Sequence, residues 1–305
     1  MDEHKYEVDK KKIFYADMAL IIGAMLWGME YIAIKYALLE FSPIYVNVFR
    51  FGFGFIAVGL VFWKKAKQLD KSYVKVGLVI GFFSFVAFAC MTSAMQYISV
   101  AVNAFLVATY TVWVPLITTI IYKKRPHWTV MTGSLLCMIG IYFLTLVEGE
   151  IHIGFGEALS LSASILFSFV IILKAHYIKK MDPIGIAISQ TGGTGLYYII
   201  AAIAFEPLPV YTGHTESILA IIYIVIGATA VAHVIVNMSL RYTTATRQVI
   251  IISLESVFAA IFGFLILKES LTLSVLWGTL LIFSAIILIE TELKFIPYFR
   301  KKSMN

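Results

Sequence analysis

The chain has 305 residues, of which 60% are hydrophobic and 14% are charged, and its mean hydropathy is +0.89. This composition excludes a soluble globular domain and a disordered chain, because neither combines so much apolar surface with so few charges. The net charge of +6 does not indicate nucleic-acid binding, since the basic residues cluster at the ends of apolar stretches, where they fix topology and meet lipid headgroups.

Ten apolar stretches follow one another along nearly the whole chain. A helix needs about 20 apolar residues to cross a bilayer core about 30 Å thick, so each stretch is long enough to span it. Backbone groups in lipid must be hydrogen-bonded internally, and stretches of this length without alternation predict helices rather than barrel strands. The predicted spans are residues 13–39, 43–63, 75–96, 101–122, 128–147, 155–178, 183–205, 217–240, 246–267 and 273–291.

The basic residues predict the orientation of these spans. With the N-terminal tail placed inside, 21 of the 24 lysines and arginines fall in inside segments. Lys268 lies in an outside loop, while Lys35 and Arg50 lie within spans. The positive-inside rule therefore predicts a multi-pass protein of the cytoplasmic membrane, embedded in the lipid bilayer with both termini inside.

The sequence also repeats itself. Shifted by 145 positions, Tyr97 aligns with Tyr242, and shifted by 140 positions, Pro43 aligns with Pro183. Chance agreement between two apolar sequences is the alternative explanation. Each half has five spans, so the second half enters the membrane with opposite polarity, an arrangement typical of secondary transporters. The predicted organisation is a tail, two five-helix repeats and a second tail, at residues 1–12, 13–147, 155–291 and 292–305.

Short motifs follow one another along nearly the whole chain. They include Trp27-Gly28, Arg50-Phe51, Ala94 through Tyr97, Leu254-Glu255 and Lys268-Glu269. In order and spacing they resemble the ten-helix EamA-type branch of the drug/metabolite transporter superfamily. The resemblance implies an all-α membrane protein of ten transmembrane helices that moves small polar metabolites by alternating access. It also implies that the fifth and tenth helices brace the bundle or form a homodimer contact. Ser256 departs from the family pattern, which usually has Pro there, and Thr111 occupies the matching place in the fourth span.

Two opposite charges are predicted at similar depth in the first two spans. A charge at the bilayer centre costs about 2.5–3.5 kcal/mol, so each needs a partner or a hydrated cavity. At 1.5 Å per residue, Glu30 lies about 13 Å and Arg50 about 10 Å below the outer face. We expect a Glu30–Arg50 pair or a shared polar cluster. The pair either only tethers two helices or also contacts substrate or a proton.

Glu255 is the strongest functional candidate. It lies about 14 Å from the inner face, and its own helix offers no Lys or Arg at that depth. A carboxylate in such a site can bind a cation or carry a proton. The alternative is a structural carboxyl bonded to the hydroxyls of Ser253 or Ser256. Glu30 and Glu255 are the candidates for proton coupling.

Further polar and aromatic residues complete the predicted substrate site. Trp27 shares a helix face with Glu30, and Tyr110 aligns with Glu255 in the repeat. Aromatic rings beside a carboxylate suit an apolar amino acid or an organic cation, although any one ring is as readily a packing residue. Gln190 aligns with Arg50 in the repeat and belongs to an inner vestibule, and Asn103 flanks a short outer turn.

The function that follows is secondary active transport. The sequence has no protease, hydrolase or ATP-binding signature, so we expect neither an enzyme nor a cofactor or metal. An amino acid is the first substrate class, with Glu255 and Glu30 facing its ammonium and Arg50 or Gln190 facing its carboxylate. An organic cation or amphiphilic drug is the alternative, and a channel or structural membrane protein is a third.

Overall fold

The structure, a computed structural model, describes residues 10–121, 123, 128–144, 146–147, 150–151, 153–178, 180–239, 251–270 and 272–292. The predicted start of the ninth span, residues 246–250, lies outside these residues, as do most of both predicted tails. The helices in chain order are α1 Lys10–Ala37, α2 Pro43–Val61, α3 Trp63–Ala66, α4 Lys71–Ala94, α5 Val100–Ala108, α6 Tyr110–Ile121, α7 Trp128–Leu144, α8 Phe155–Tyr177, α9 Pro183–Phe205, α10 Thr215–Tyr223, a π-helix Ile224–Val231, α11 Ala232–Ser239, α12 Leu254–Leu267 and α13 Leu273–Glu292.

Helices form the structure apart from one pair of two-residue strands, β1 Leu146–Val147 and β2 Glu150–Ile151, which lie antiparallel between the two predicted halves. Six helices are long and apolar enough to cross a membrane, and four further apolar helices are shorter. The predicted helical fold is therefore confirmed. The count of ten spans and the orientation of the termini remain predictions.

Local sequence fixes where the helices begin. Ser42 accepts a hydrogen bond from the Tyr45 amide at 3.3 Å at the start of α2, whose first residue is proline. Asp182 accepts one from the Ile184 amide at 3.0 Å at the start of α9, again followed by proline. A side-chain oxygen satisfies a free amide of the first turn, and proline there loses no helical hydrogen bond. The two proline positions that align in the repeat thus begin helices in the same way.

Polar contacts close the two ends of the bundle. At what we call the Glu40 end, the Glu40 carboxylate accepts hydrogen bonds from Thr212 in the loop 206–214. At the opposite end, the Lys65 end, the Lys65 ammonium pairs with the Asp182 carboxylate. Partial burial raises the pKa of Asp182, but hydrogen bonds from Lys65 and the start of α9 outweigh this and lower it below its usual value. The ion pair therefore stays formed at neutral pH.

Helix packing follows the same pattern in both halves. Helix α1 packs against α12, and its repeat counterpart α8 packs against α5 and α6. Helix α4 packs against α8 and α9, while the α10, π-helix and α11 segment packs against α1 and α2. Helices α7 and α13 pair with each other at the side of the bundle. The other described helices therefore enclose a central space, which α7 and α13 do not line.

Glycines allow the closest helix contacts. A Cβ atom on Gly193 in α9 would lie 2.4 Å from the Gly77 carbonyl oxygen in α4, so no side chain fits without separating the two backbones. We expect Gly193→Ala to lower the free energy of unfolding by about 1–3 kcal/mol or more, because overpacking forces backbone shifts. Gly52→Ala is the matched control, since a Cβ there meets nothing within 4 Å. Thermal unfolding of both purified variants checks this, and equal melting temperatures would contradict the packing of α4 on α9.

Candidate functional site: a charged cavity between the helices

A cavity of about 270 Å³ lies inside the bundle. Aromatic and aliphatic side chains form most of its wall, and the polar groups are few. It is lined by Trp27, Glu30, Tyr31, Arg50, Phe51, Phe88, Met91, Val107, Tyr110, Phe167, Val170, Ile171, Lys174, Ala187, Gln190, Thr191, Thr229 and Glu255. An apolar wall with a few convergent polar groups is typical of a small-molecule site. Six of the seven predicted site residues line it.

The predicted pair between Glu30 and Arg50 is present. The Arg50 guanidinium contacts the Glu30 carboxylate, and each residue is only 3% exposed. The Phe88 ring lies 4.2 Å and the Phe51 ring 5.0 Å from the guanidinium carbon, so cation–π contacts add to the ion pair. The Arg50 Nε has no hydrogen-bond partner among the residues that the structure describes. The two charges therefore largely neutralise each other, and both residues still line the cavity.

Two helix breaks, one residue apart in the alignment of the two halves, shape the cavity wall. The fourth predicted span breaks at Thr109, between α5 and α6, and the ninth breaks at Ser253, just before α12. A hydroxyl two or three residues on donates back to the chain in each case, from Thr111 to the Ala108 carbonyl and from Ser256 to that of Ser253, both at 2.9 Å. Each hydroxyl therefore bonds to the backbone beside its break, as serine and threonine side chains often do within helices.

Tyr110, directly after the first break, and Glu255, two residues after the second, both line the cavity. Glu255 is half-buried, and it interacts electrostatically with the charged groups of Glu30 and Arg50. The Ser256 hydroxyl, offered above as a structural partner of Glu255, donates instead to the backbone. Discontinuous helices that place polar groups at a central cavity are a recurrent feature of secondary transporters.

Trp27 and Gln190 are held in place by hydrogen bonds across the cavity wall. The Trp27 indole donates to the Ala228 carbonyl at 2.9 Å, which fixes the ring against the π-helix. The Gln190 amide donates to the Ser84 hydroxyl at 2.8 Å and ties α9 to α4. π-Helical segments are rare and occur mostly at functional sites, and this one contributes Thr229 to the cavity. Both predicted residues are thus fixed in orientation at the wall.

Asn103, the seventh predicted site residue, lies away from this cavity. Its amide nitrogen donates to the Met91 carbonyl at 3.0 Å, and its oxygen accepts from the Ser160 hydroxyl at 2.9 Å. The side chain is fully buried and does not line the cavity. These two hydrogen bonds satisfy the side-chain amide and link α5 to α4 and α8. The position of Asn103 near a turn did not indicate which neighbouring groups would form hydrogen bonds with it.

Lys174 is the lining residue that sequence reasoning missed. It is one of the 21 basic residues that the positive-inside pattern places in inside segments, but it lies within α8, three residues before the helix ends. Phe167, Val170 and Ile171 line the same cavity, so the lysine continues one helical face. That spacing of three, four and seven residues was visible in the sequence and could have revealed it.

Neither thiols nor clustered ligands suggest other chemistry in the described part of the chain. Cys90 and Cys137 are free thiols. Among the described residues, no group of three or more His, Cys, Asp or Glu side chains is placed to hold a metal ion.

A bundle of apolar helices around a cavity with a few charged groups is an arrangement found in membrane transporters, and comparison with known proteins identifies the family. Residues 14–146 and 154–291 each match the EamA-like transporter family, so the chain belongs to that family. It is 31% identical over 279 residues to an uncharacterized transporter of Archaeoglobus fulgidus, covering 92% of this chain and 87% of the relative. A second uncharacterized transporter of that organism is 24% identical over 279 residues, with 91% and 97% covered.

A solved crystal structure shares the fold, with a TM-score of 0.64 and 14% sequence identity. The match covers 90% of this chain and 95% of that one. At this identity the likeness shows the fold alone. The family membership and the apolar helices together establish a membrane transporter.

Proposed function

We propose that this protein is a secondary active transporter of small zwitterionic metabolites, with apolar amino acids as its first substrate class. Transport proceeds by alternating access across the cytoplasmic membrane. The two halves, residues 13–147 and 155–291, insert with opposite polarity, and both termini face the cytoplasm. The repeated packing of α1 on α12 and of α8 on α5 and α6 supports this arrangement, as do the two separate family matches.

The observation that carries the proposal is the charge balance of the cavity. Four ionisable side chains with formal charge at neutral pH line it, and they comprise two acids, Glu30 and Glu255, and two bases, Arg50 and Lys174. A net-neutral site with separate positive and negative groups complements a zwitterion, whereas a sugar phosphate needs net positive charge. The volume of about 270 Å³ suits a small metabolite, and the aromatic wall suits an apolar side chain.

The helix pair α2 and α9 supports alternating access. The Ser42 hydroxyl donates to the Glu206 carboxylate at the Glu40 end, and Lys65 pairs with Asp182 at the Lys65 end. Between these contacts, a Cβ on Gly195 would meet the Phe51 backbone at 3.2 Å, so the two helices are in close contact. Each polar contact can open while the other holds, which would expose the cavity to one side at a time.

An organic cation is a second candidate substrate. Glu255 borders the cavity beside Trp27 and Tyr110, and a carboxylate with aromatic faces attracts quaternary or primary amines. This reading uses the acids and rings but leaves Lys174 without a function. A cation substrate would therefore bind equally well with or without a carboxylate group.

A thermal-shift screen of the detergent-purified protein tests the proposal. A bound ligand raises the melting temperature by mass action, so the screen compares amino acids, amines, nucleobases and sugar phosphates. We expect apolar amino acids to stabilise the protein most. Equal stabilisation by the matching amines would favour the organic-cation function instead. A pH jump linked to substrate movement in proteoliposomes would separate proton coupling through Glu30 or Glu255 from simple exchange.

A further inference from the structure

The cavity contains one basic group that no acid engages in the described part of the chain. Arg50 is paired with Glu30 and lies over the Phe88 ring, whereas Lys174 has neither an ion pair nor a hydrogen bond among the described residues. Its side chain is half-buried and lines the cavity. An ammonium removed from bulk water without a partner is unfavourable, so its position requires a compensating anion or water.

Helix α8 aims this ammonium at the cavity rather than at lipid. Phe167, Val170, Ile171 and Lys174 recur at helical spacing and all line the same space. By contrast, Ala175 and His176 on the adjoining face are exposed. Lys174 lies about 4.5 Å from the end of α8 along the helix axis, toward the Lys65 end. The cavity thus has an unengaged cation on the α8 wall and the Glu255 carboxylate on the α12 wall.

We propose that Lys174 is the specificity-determining residue that receives the carboxylate of the substrate. This inference rests on the proposed function and refines it, because it replaces Arg50 and Gln190 as the carboxylate-binding groups. Glu255 receives the ammonium of the same molecule, and the apolar wall holds its side chain. A zwitterion then satisfies both charges at once, while an amine leaves Lys174 unsatisfied.

Three ligands with the same isobutyl side chain separate these roles. Leucine carries both charges, 4-methylpentanoate lacks the ammonium, and 3-methylbutylamine lacks the carboxylate. Thermal shifts with 4-methylpentanoate test Lys174 without requiring transport. We expect stabilisation of the wild type and of Lys174→Arg, and affinity lower by about tenfold or more in Lys174→Gln and Lys174→Met, since a charge-assisted hydrogen bond is lost.

Lys75→Gln is the matched control. Lys75 is an exposed lysine in the first turns of α4, near the Lys65 end, and it does not line the cavity. Its removal takes away the same charge, so 4-methylpentanoate binding should not change. If the acid stabilises Lys174→Gln as much as the wild type, or fails to stabilise the wild type, the assignment of Lys174 is overturned.

Counterflow in proteoliposomes then separates this inference from the proposed function. In the wild type leucine should be preferred over 3-methylbutylamine, and in Lys174→Gln that preference should fall by about tenfold. If Lys174→Gln keeps the full preference for leucine over 3-methylbutylamine, the inference is overturned while amino-acid transport stays intact. A wild type that moves no amino acid, yet binds 4-methylpentanoate through Lys174, would end the proposed function and support the anion site.

Discussion

Glu255→Gln is expected to abolish most transport while leaving the protein folded. The substitution removes a negative charge from the cavity wall but keeps the size of the side chain. A hydrogen bond to a charged group contributes about 1.5–3 kcal/mol, so the affinity for an apolar amino acid should fall about 10- to 100-fold. The measurement is the concentration dependence of leucine uptake into proteoliposomes, together with the melting temperature of the variant.

The control for Glu255 is Glu216→Gln. Glu216 lies in the first turn of α10 and is exposed, so its neutralisation changes the net charge equally without touching the cavity. Uptake by this control should match the wild type. Wild-type uptake by Glu255→Gln would remove Glu255 from the substrate site and from any proton pathway.

Arg50→Met is expected to destabilise the fold strongly, because it leaves the Glu30 carboxylate buried without its cation. Breaking a buried ion pair by removing one partner costs about 3–5 kcal/mol. The double variant Glu30→Gln with Arg50→Met removes both charges and should recover much of that loss. Thermal or chemical unfolding of the wild type, both single variants and the double variant measures the coupling between the two side chains.

The exposed pair at the Lys65 end is the matched control for this cycle. The Lys65 side chain is 46% exposed and that of Asp182 is 29% exposed. Removing one partner of such a pair changes stability by about 1 kcal/mol or less, so Lys65→Met should be nearly neutral. Equal losses in Arg50→Met and Lys65→Met would show that the central pair is not buried from solvent.

The membrane fold could be predicted because its signals extend over whole helices. Spans of about 20 apolar residues leave few alternatives in lipid, and prolines at 43 and 183 mark helix starts that the structure confirms. The Glu30–Arg50 pair was also predictable, since two opposite charges at one depth in consecutive spans have few other partners.

Side-chain placement was predicted less well, because it depends on which helix faces meet. Asn103 was assigned to the site but satisfies its hydrogen bonds inside the helix core. Lys174 was assigned to topology because it lies at the end of a span, where lysines usually reach the interface. The breaks at Thr109 and Ser253 fall inside continuous apolar runs, so hydropathy alone did not reveal them.

The central claim is that the cavity is where the substrate binds, and alkylation of a cysteine placed there tests it most directly. In a background with Cys90 and Cys137 replaced by alanine, Ala187→Cys puts a thiol on the cavity wall. Ser162→Cys puts one on an exposed face of α8 as a control. Leucine at ten times its dissociation constant should slow alkylation at position 187 about tenfold by occupancy and leave position 162 unchanged. Equal alkylation rates at position 187 with and without leucine, in a protein that transports it, would place the substrate elsewhere and contradict the account.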